Sequence, residues 1–210
     1  MEHQQAKAIA DRLLSELGPS CERIKIAGSV RRGKADVGDI EIVAVPKTAE
    51  QRDLFGASVA AGSEIDGAVQ QLVLAGARLL KNGPRYKQIA LPEGINLDLF
   101  LVLPPAQFGV IMAIRTGPAE FSKWLVTARK DGGALPSNCQ VRDGAVWRDG
   151  ASVPMPEETD LFNFLGLAWS EPGQRQAGWP KGSVRAASVP ATAMEVALTN
   201  ARRGGMAGRL

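Results

Sequence analysis

Three acidic side chains stand where apolar strands would otherwise continue. In Val37-Gly38-Asp39-Ile40-Glu41-Ile42-Val43 two carboxylates alternate with branched apolar residues, and Asp98 interrupts the apolar stretch from Ile95 to Val102. Residues two apart in a strand share a face, so Asp39 and Glu41 project together with backbones about 7 Å apart. If the strand carrying Asp98 is a neighbour at roughly 5 Å, the three carboxylates converge. Like charges that close raise one another's proton affinity, and a divalent cation is the natural compensation. Three oxygen ligands without histidine or cysteine favour Mg²⁺ or Mn²⁺ over zinc. Such a set can hold two ions about 3.5 to 4 Å apart, an arrangement suited to phosphoryl transfer. The plainer alternative is a solvated strand face at Asp39 and Glu41, with Asp98 as a strand-end acid.

Just ahead of the acidic strand lies Gly28-Ser29-Val30-Arg31-Arg32-Gly33. Gly28 permits close backbone approach, Ser29 offers a hydroxyl and an amide, and an arginine fork matches phosphate geometry. Alone, this segment reads as an ordinary turn. Beside a carboxylate pair it reads as donors for a triphosphate whose metal the acids hold.

These residues must be positioned by regular elements. Ala6, Ile9, Ala10, Leu13, Leu14 and Leu17 fall at helical spacing, and Gly18-Pro19 stops them. Strands are expected over residues 23 to 27, 39 to 45, 86 to 91 and 95 to 102, the last two joined as a hairpin through Pro92-Glu93-Gly94. A helix begins after Ser63, which would cap it with Asp66 three residues on, and a polar connection precedes it. The first hundred residues therefore read as α+β, a mixed β-sheet flanked by helices. Pro104-Pro105 marks a boundary. Beyond it come helices over 107 to 114, 119 to 130 and 157 to 165, with Gly166 as the stop of the last, and a short hairpin at Asp143-Gly144. The expected division is 1–104, 105–175 and a flexible basic tail, 176–210.

Charge and composition narrow the chemistry. In 210 residues, 45% hydrophobic and 22% charged, no apolar run approaches 18 residues, so no membrane association is expected. The net charge is +3, but from Gln176 onward five basic residues accompany a single acid, Glu195. Within the nearly neutral remainder, basic residues cluster at 23–34 and 78–87, which points to a polyanion. Two cysteines are too few for a disulfide framework, and the cytoplasmic compartment is the default. His3, the single histidine, is expected in a frayed terminus, so acid/base work falls to carboxylates, hydroxyls or bound metal.

Taken together, Gly28-Ser29-Val30-Arg31-Arg32-Gly33, Val37-Gly38-Asp39-Ile40-Glu41 and Asn96-Leu97-Asp98-Leu99 resemble the signature segments of X-family DNA polymerases, within the nucleotidyltransferase superfamily. Thr116-Gly117 resembles the turn beneath the incoming nucleotide. Glu157 to Phe162, Leu165-Gly166-Leu167, Pro172 and Arg175 resemble the end of the thumb. The resemblance spans roughly residues 20 to 175 and implies a nucleotidyltransferase palm over 1–104, followed by a small, mostly helical thumb-like, nucleotide-selecting subdomain over 105–175. It implies that Asp39, Glu41 and Asp98 are catalytic and bind Mg²⁺, with Mn²⁺ as a substitute. It also implies that Gly28, Ser29, Arg32 and Gly38 hold the phosphates and that Thr116, Gly117 and Ser122 lie at the nucleotide. Glu41 replaces the family's usual aspartate, Ile114-Arg115 replaces an aromatic pair, and Ser122 replaces an asparagine. A cis Gly117-Pro118 bond is expected, since cis is much cheaper before proline.

The reading that follows is a template-directed, metal-dependent DNA polymerase that fills short gaps in DNA repair. Its expected partners are primed or gapped DNA and a dNTP, with a protein partner at the tail, and the chain is expected to be a monomer. A nucleotidyltransferase that works without a template, or on RNA or protein, is the alternative. A non-catalytic nucleic-acid-binding scaffold is the third reading. Lys81, Arg85, Lys87, Arg115, Lys123, Arg129 and Lys130 are expected to contribute phosphate contacts, Tyr86 to pack in its strand, and Trp147 to be the best stacking candidate.

Overall fold

Apolar residues three and four apart dictate the first helix, α1 (His3–Leu17), which buries Ala6, Ile9, Ala10, Leu13 and Leu17. Its wet face carries the i,i+4 ion pairs Lys7–Asp11 and Arg12–Glu16. The computed structural model describes residues 1–52 and 58–178, with side chains outside 49–62. They fall within one compact unit, Met1–Trp179. After α1 come β1 (Cys21–Ile26), the helical turn α2 (Gly28–Arg31), β2 (Asp39–Pro46), β3 (Thr48–Arg52), β4 (Ser58–Ser63) and α3 (Glu64–Leu74). Then follow β5 (Arg78–Asn82), β6 (Tyr86–Ala90), β7 (Asn96–Leu101), α4 (Phe108–Thr116) and α5 (Ala119–Val126). The chain continues through β8 (Cys139–Arg142), β9 (Ala145–Arg148), β10 (Ala151–Val153) and α6 (Glu158–Leu165).

The fold is α+β. Five strands form a mixed sheet in the order β1-β2-β7-β6-β5, and within it only the central pair β2 and β7 runs parallel. Alternation sends Ile40, Ile42 and Ala44 of β2, Leu97, Leu99 and Leu101 of β7, and Ile89 of β6 to one face. There they meet α1 and the buried stripe Ile65, Val69 and Leu72 of α3. Each fully buried aliphatic side chain on that face contributes about 1.5–3 kcal/mol. The opposite face holds Val43 and Phe100, which join Ala27, Val102, Phe108 and Met112 in a smaller apolar cluster beneath α4. A third cluster gathers Val110, Phe121, Trp124, Leu161 and Phe162 with the inner face of the β8–β10 sheet. This layout of sheet, flanking helices and mostly helical second part is compatible with a nucleotidyltransferase-like palm.

Several expectations change. His3 is not frayed: it opens α1, its amide donates to the Ala35 carbonyl, and Val37 N–H donates to the Met1 carbonyl, so the segment ahead of Asp39 is tied down. The polar connection before α3 contains β3 and β4, and the basic segment 78–82 is the edge strand β5, whose exposed charges mask the strand pattern. Ser63 precedes α3 without capping it; its buried hydroxyl has no partner among the described residues, and Asp66 pairs instead with Lys87 of β6. Helix α5 ends at Val126 rather than near Lys130, because Leu135 N–H donates to Thr127 O and Arg129 N–H to Leu135 O, folding the chain back. Beyond Asp143-Gly144 there is a second two-residue turn of the same kind, Asp149-Gly150. Both residues of each turn have positive φ, at 51° and 76° and at 50° and 82°. Of the expected tail, residues 179–210 lie outside the described residues.

Candidate active site

The parallel register of β2 and β7 sets Glu41 opposite Asp98 and Asp39 opposite Asn96. Asp39, Glu41 and Asp98 thus rise from adjacent strands on the face away from α1 and α3. Burial raises the Asp39 carboxyl above its ordinary value, the charge of Asp98 adds to this, and Arg32 opposes it. Glu41 is pushed up to about 7, first by burial and then by Asp39, with Arg115 and Arg32 pulling the other way and Asp98 adding a smaller push. The chain therefore buries like charges against one another and leaves them short of compensation.

Asp98 is braced from the other side. In the β6–β7 hairpin Gln88 lies opposite Asp98 and Tyr86 opposite Phe100. The Tyr86 hydroxyl and the Gln88 amide each donate to Asp98 Oδ1 at 3.0 Å. Burial, followed by the bond to Asp98, pushes the Tyr86 phenol up to about 12, so it remains a donor at neutral pH. From sequence alone Tyr86 is expected to pack in its strand, and Gln88 carries no expected role. Counting outward from Glu93 at the hairpin tip pairs 91 with 95, and by the same step 88 with 98, so the signal was available.

The turn after β1 presses on the same acids. Gly28 has φ +60°, and a Cβ there would lie 2.0 Å from Glu41 Oε2, so the Glu41 carboxylate occupies space that only glycine leaves. Ser29 is buried, and its hydroxyl has no partner among the described residues. A buried hydroxyl without a bond is costly, and a ligand oxygen would relieve it. Gly38 is exposed with open space where a side chain would be.

Arg31 and Arg32 reach from this turn to the end of α4. Arg31 donates to the Thr116 hydroxyl at 2.7 Å and to Glu158 Oε2 at 2.6 Å. Glu158 Oε1 accepts from Arg175 at 2.8 Å, and the Arg175 side chain is fully buried among the rings of Phe121, Phe162 and Trp169. Arg32 Nη1 donates to the Thr116 and Gly117 carbonyls at 2.9 and 3.1 Å. In this structure Arg32 therefore grips the turn expected beneath a nucleotide. Ser122, expected at the base, donates to Ile114 O at 2.5 Å and to Gly117 O at 3.4 Å.

The expected cis bond is not formed: the cis peptide among the described residues is Pro104-Pro105, and Gly117-Pro118 is trans. Gly117 and Pro118 are both extended, with φ,ψ of −71°, 159° and −58°, 155°. In that conformation the Gly117 carbonyl meets Arg32 while Pro118 O receives the first amide bond of α5, from Ser122 N.

The basic residues expected on nucleic acid divide. Lys87 is buried, paired with Asp66 at 2.6 Å and donating to Asn82. Arg85 donates to Asp143 and Pro104 carbonyls, and Arg129 to those of Ala134 and Leu165. Lys81, Lys123 and Lys130 are exposed. Arg115 lies 3.8 Å over the Phe100 ring. Trp147 carries Arg142 at 4.6 Å over its ring.

The donor set at Asp39, Glu41 and Asp98 is oxygen-only and short of positive charge, which suits a hard divalent ion. Among the described residues no three acidic, histidine or cysteine side chains stand in a ready-formed metal cluster. Among them, too, no helix is long and apolar enough to cross a membrane.

Comparison with known proteins gives a distant likeness to a polymerase. The chain is 28% identical over 171 residues to DNA polymerase lambda of Rattus norvegicus. The match covers 70% of this chain and 28% of that protein, so the chain spans little more than a quarter of the relative. No family model matches. The likeness supports a relationship to polymerases.

Proposed function

We propose that this chain is a template-directed DNA polymerase of minimal X-family type, adding a dNMP to a primer 3′-hydroxyl with release of pyrophosphate, as in filling short gaps during DNA repair. One observation carries the reading: the parallel pairing of β2 and β7 puts Asp39, Glu41 and Asp98 on one face, with Glu41 packed against Gly28 of the turn that also carries the orphaned Ser29 hydroxyl. The distant likeness to a DNA polymerase supports it independently. In this reading residues 1–104 are the palm and 105–175 select the nucleotide.

Asp39, Glu41 and Asp98 would hold Mg²⁺, or Mn²⁺ in its place, which supplies positive charge to the triphosphate and lowers the proton affinity of the attacking hydroxyl. Ser29 gives its free hydroxyl to a phosphate oxygen, and the open backbone at Gly38 lets phosphate approach. Arg32 offers its remaining guanidinium nitrogens to the same group. Asp98 Oδ2 accepts the 3′-hydroxyl proton as the oxygen attacks the α phosphorus and the bond to the β phosphate breaks. Thr116, Gly117 and Ser122 shape the floor on which the nucleotide rests. Catalysis is then mainly positioning and charge.

Primer extension on gapped, primed and single-stranded DNA with dNTPs and rNTPs tests this. Incorporation that follows the template base is expected, with Asp98→Ala lowering it on the order of 10³-fold while the fold melts as before. Turnover undiminished in Asp98→Ala defeats the site. Extension that ignores the template favours a nucleotidyltransferase that does not copy.

A further inference from the structure

Among the described residues, Asp98 is the one acid of the three whose orientation is fixed by side-chain donors. Both bonds, from Tyr86 and Gln88, fall on Oδ1, and neither donor is itself charged. The two donors stand at alternate positions of β6, so the strand alternation aims both at the face that carries Asp98. Tyr86 is held in turn: its ring stacks on Phe100 with centroids 5.2 Å apart and planes at 23°, and the Arg115 guanidinium lies 3.8 Å over the Phe100 ring. Tyr86, Asp98, Phe100 and Arg115 line one cavity of about 530 Å³. A carboxylate's terminal torsion is broad and soft, so two donors on one oxygen are what select a single setting.

We propose that Tyr86 and Gln88 are positioning residues for Asp98. By occupying Oδ1 they set the carboxylate plane and leave Oδ2 as the oxygen for a divalent ion and the primer hydroxyl. The inference rests on the polymerase reading for its substrate, but its first consequence is ion affinity, which can be measured without turnover. Hydrogen-bond partners of a ligating carboxylate are worth about 10- to 100-fold in affinity or rate.

The test uses the full chain and three proteins: Tyr86→Phe, which keeps the ring and its stack; the double variant Tyr86→Phe, Gln88→Met; and Asp98→Ala. Free Mn²⁺ is followed by electron paramagnetic resonance during titration, and single-nucleotide incorporation is measured alongside. The expected result for Tyr86→Phe is a roughly tenfold loss in Mn²⁺ affinity and in kcat, with larger losses in the double variant, up to about 100-fold. Nucleotide KM should stay within about twofold and the melting temperature close to that of the parent. A double variant with parental Mn²⁺ affinity and kcat overturns the proposal, as does one that only melts earlier. If Asp98→Ala abolishes both readouts while the double variant keeps them, the clamp fails and the site stands. If Asp98→Ala itself keeps both, the site reading fails and the clamp with it.

Discussion

The two faces of the central sheet treat buried charge in opposite ways. On the helix-covered face Lys87 is buried but neutralised by Asp66 of α3 and bonded to Asn82. At the junction of α2, α4 and α6, Glu158 is likewise shared between Arg31 and Arg175. On the open face Asp39, Glu41 and Asp98 are set against one another, and the nearby Ser29 hydroxyl is left unbonded. Charge that serves folding is compensated inside the chain. Charge that waits for a ligand is not.

Breaking a compensated site should cost most in stability. Glu158→Ala leaves the fully buried Arg175 guanidinium without its carboxylate, and equilibrium denaturation should show a loss of about 3–5 kcal/mol. A loss below about 1 kcal/mol would remove the contrast.

Removing charge from the open face should do the reverse. The Glu41 carboxyl moves from 4.5 in its ordinary state to about 7 in the fold. Below the lower value both states are protonated and the shift contributes nothing. Between the two the fold holds the proton more tightly, so wild-type stability falls as pH rises, and above the upper value the full penalty remains. Glu41→Gln should therefore stabilise the metal-free protein on the order of 2 kcal/mol at about pH 8 and hardly at all at about pH 4. Thermal melts across that range check the sign.

The smallest effect on the fold, and the sharpest discrimination, belongs to Ser29→Ala. Because the buried hydroxyl has no partner among the described residues, removing it should leave the ligand-free protein as stable or raise its stability by up to about 1 kcal/mol. Nucleotide affinity, measured by titration, should nevertheless weaken about tenfold if a phosphate oxygen is its partner.

Local pattern made much of this legible. The stripe of α1, the alternation of β2, the Pro92-Glu93-Gly94 hairpin and the Gly166 stop of α6 are all fixed by near neighbours in the chain. That β2 and β7 are adjacent remained a condition in the sequence reading, because more than fifty residues separate Asp39 from Asp98 and nothing local sets their pairing. The same distance hid the Arg31–Glu158–Arg175 bridge and the use of Arg32 on the 116–117 carbonyls. β5 is hidden for another reason: an edge strand tolerates exposed charge, so Arg78 and Lys81 read only as a basic patch for a polyanion. The trans Gly117-Pro118 bond is accompanied by bonds from Arg32 to the Gly117 carbonyl and from Ser122 N–H to the Pro118 carbonyl, neither of which the dipeptide itself announces.

Positions 28 and 41 share one small volume, since the longer acid reaches into the gap that a missing methyl leaves. Their evolutionary freedom is therefore joined: any side chain at 28 has first to wait for a shorter one at 41. Across descendants of this sequence the two sites should change in that order or not at all.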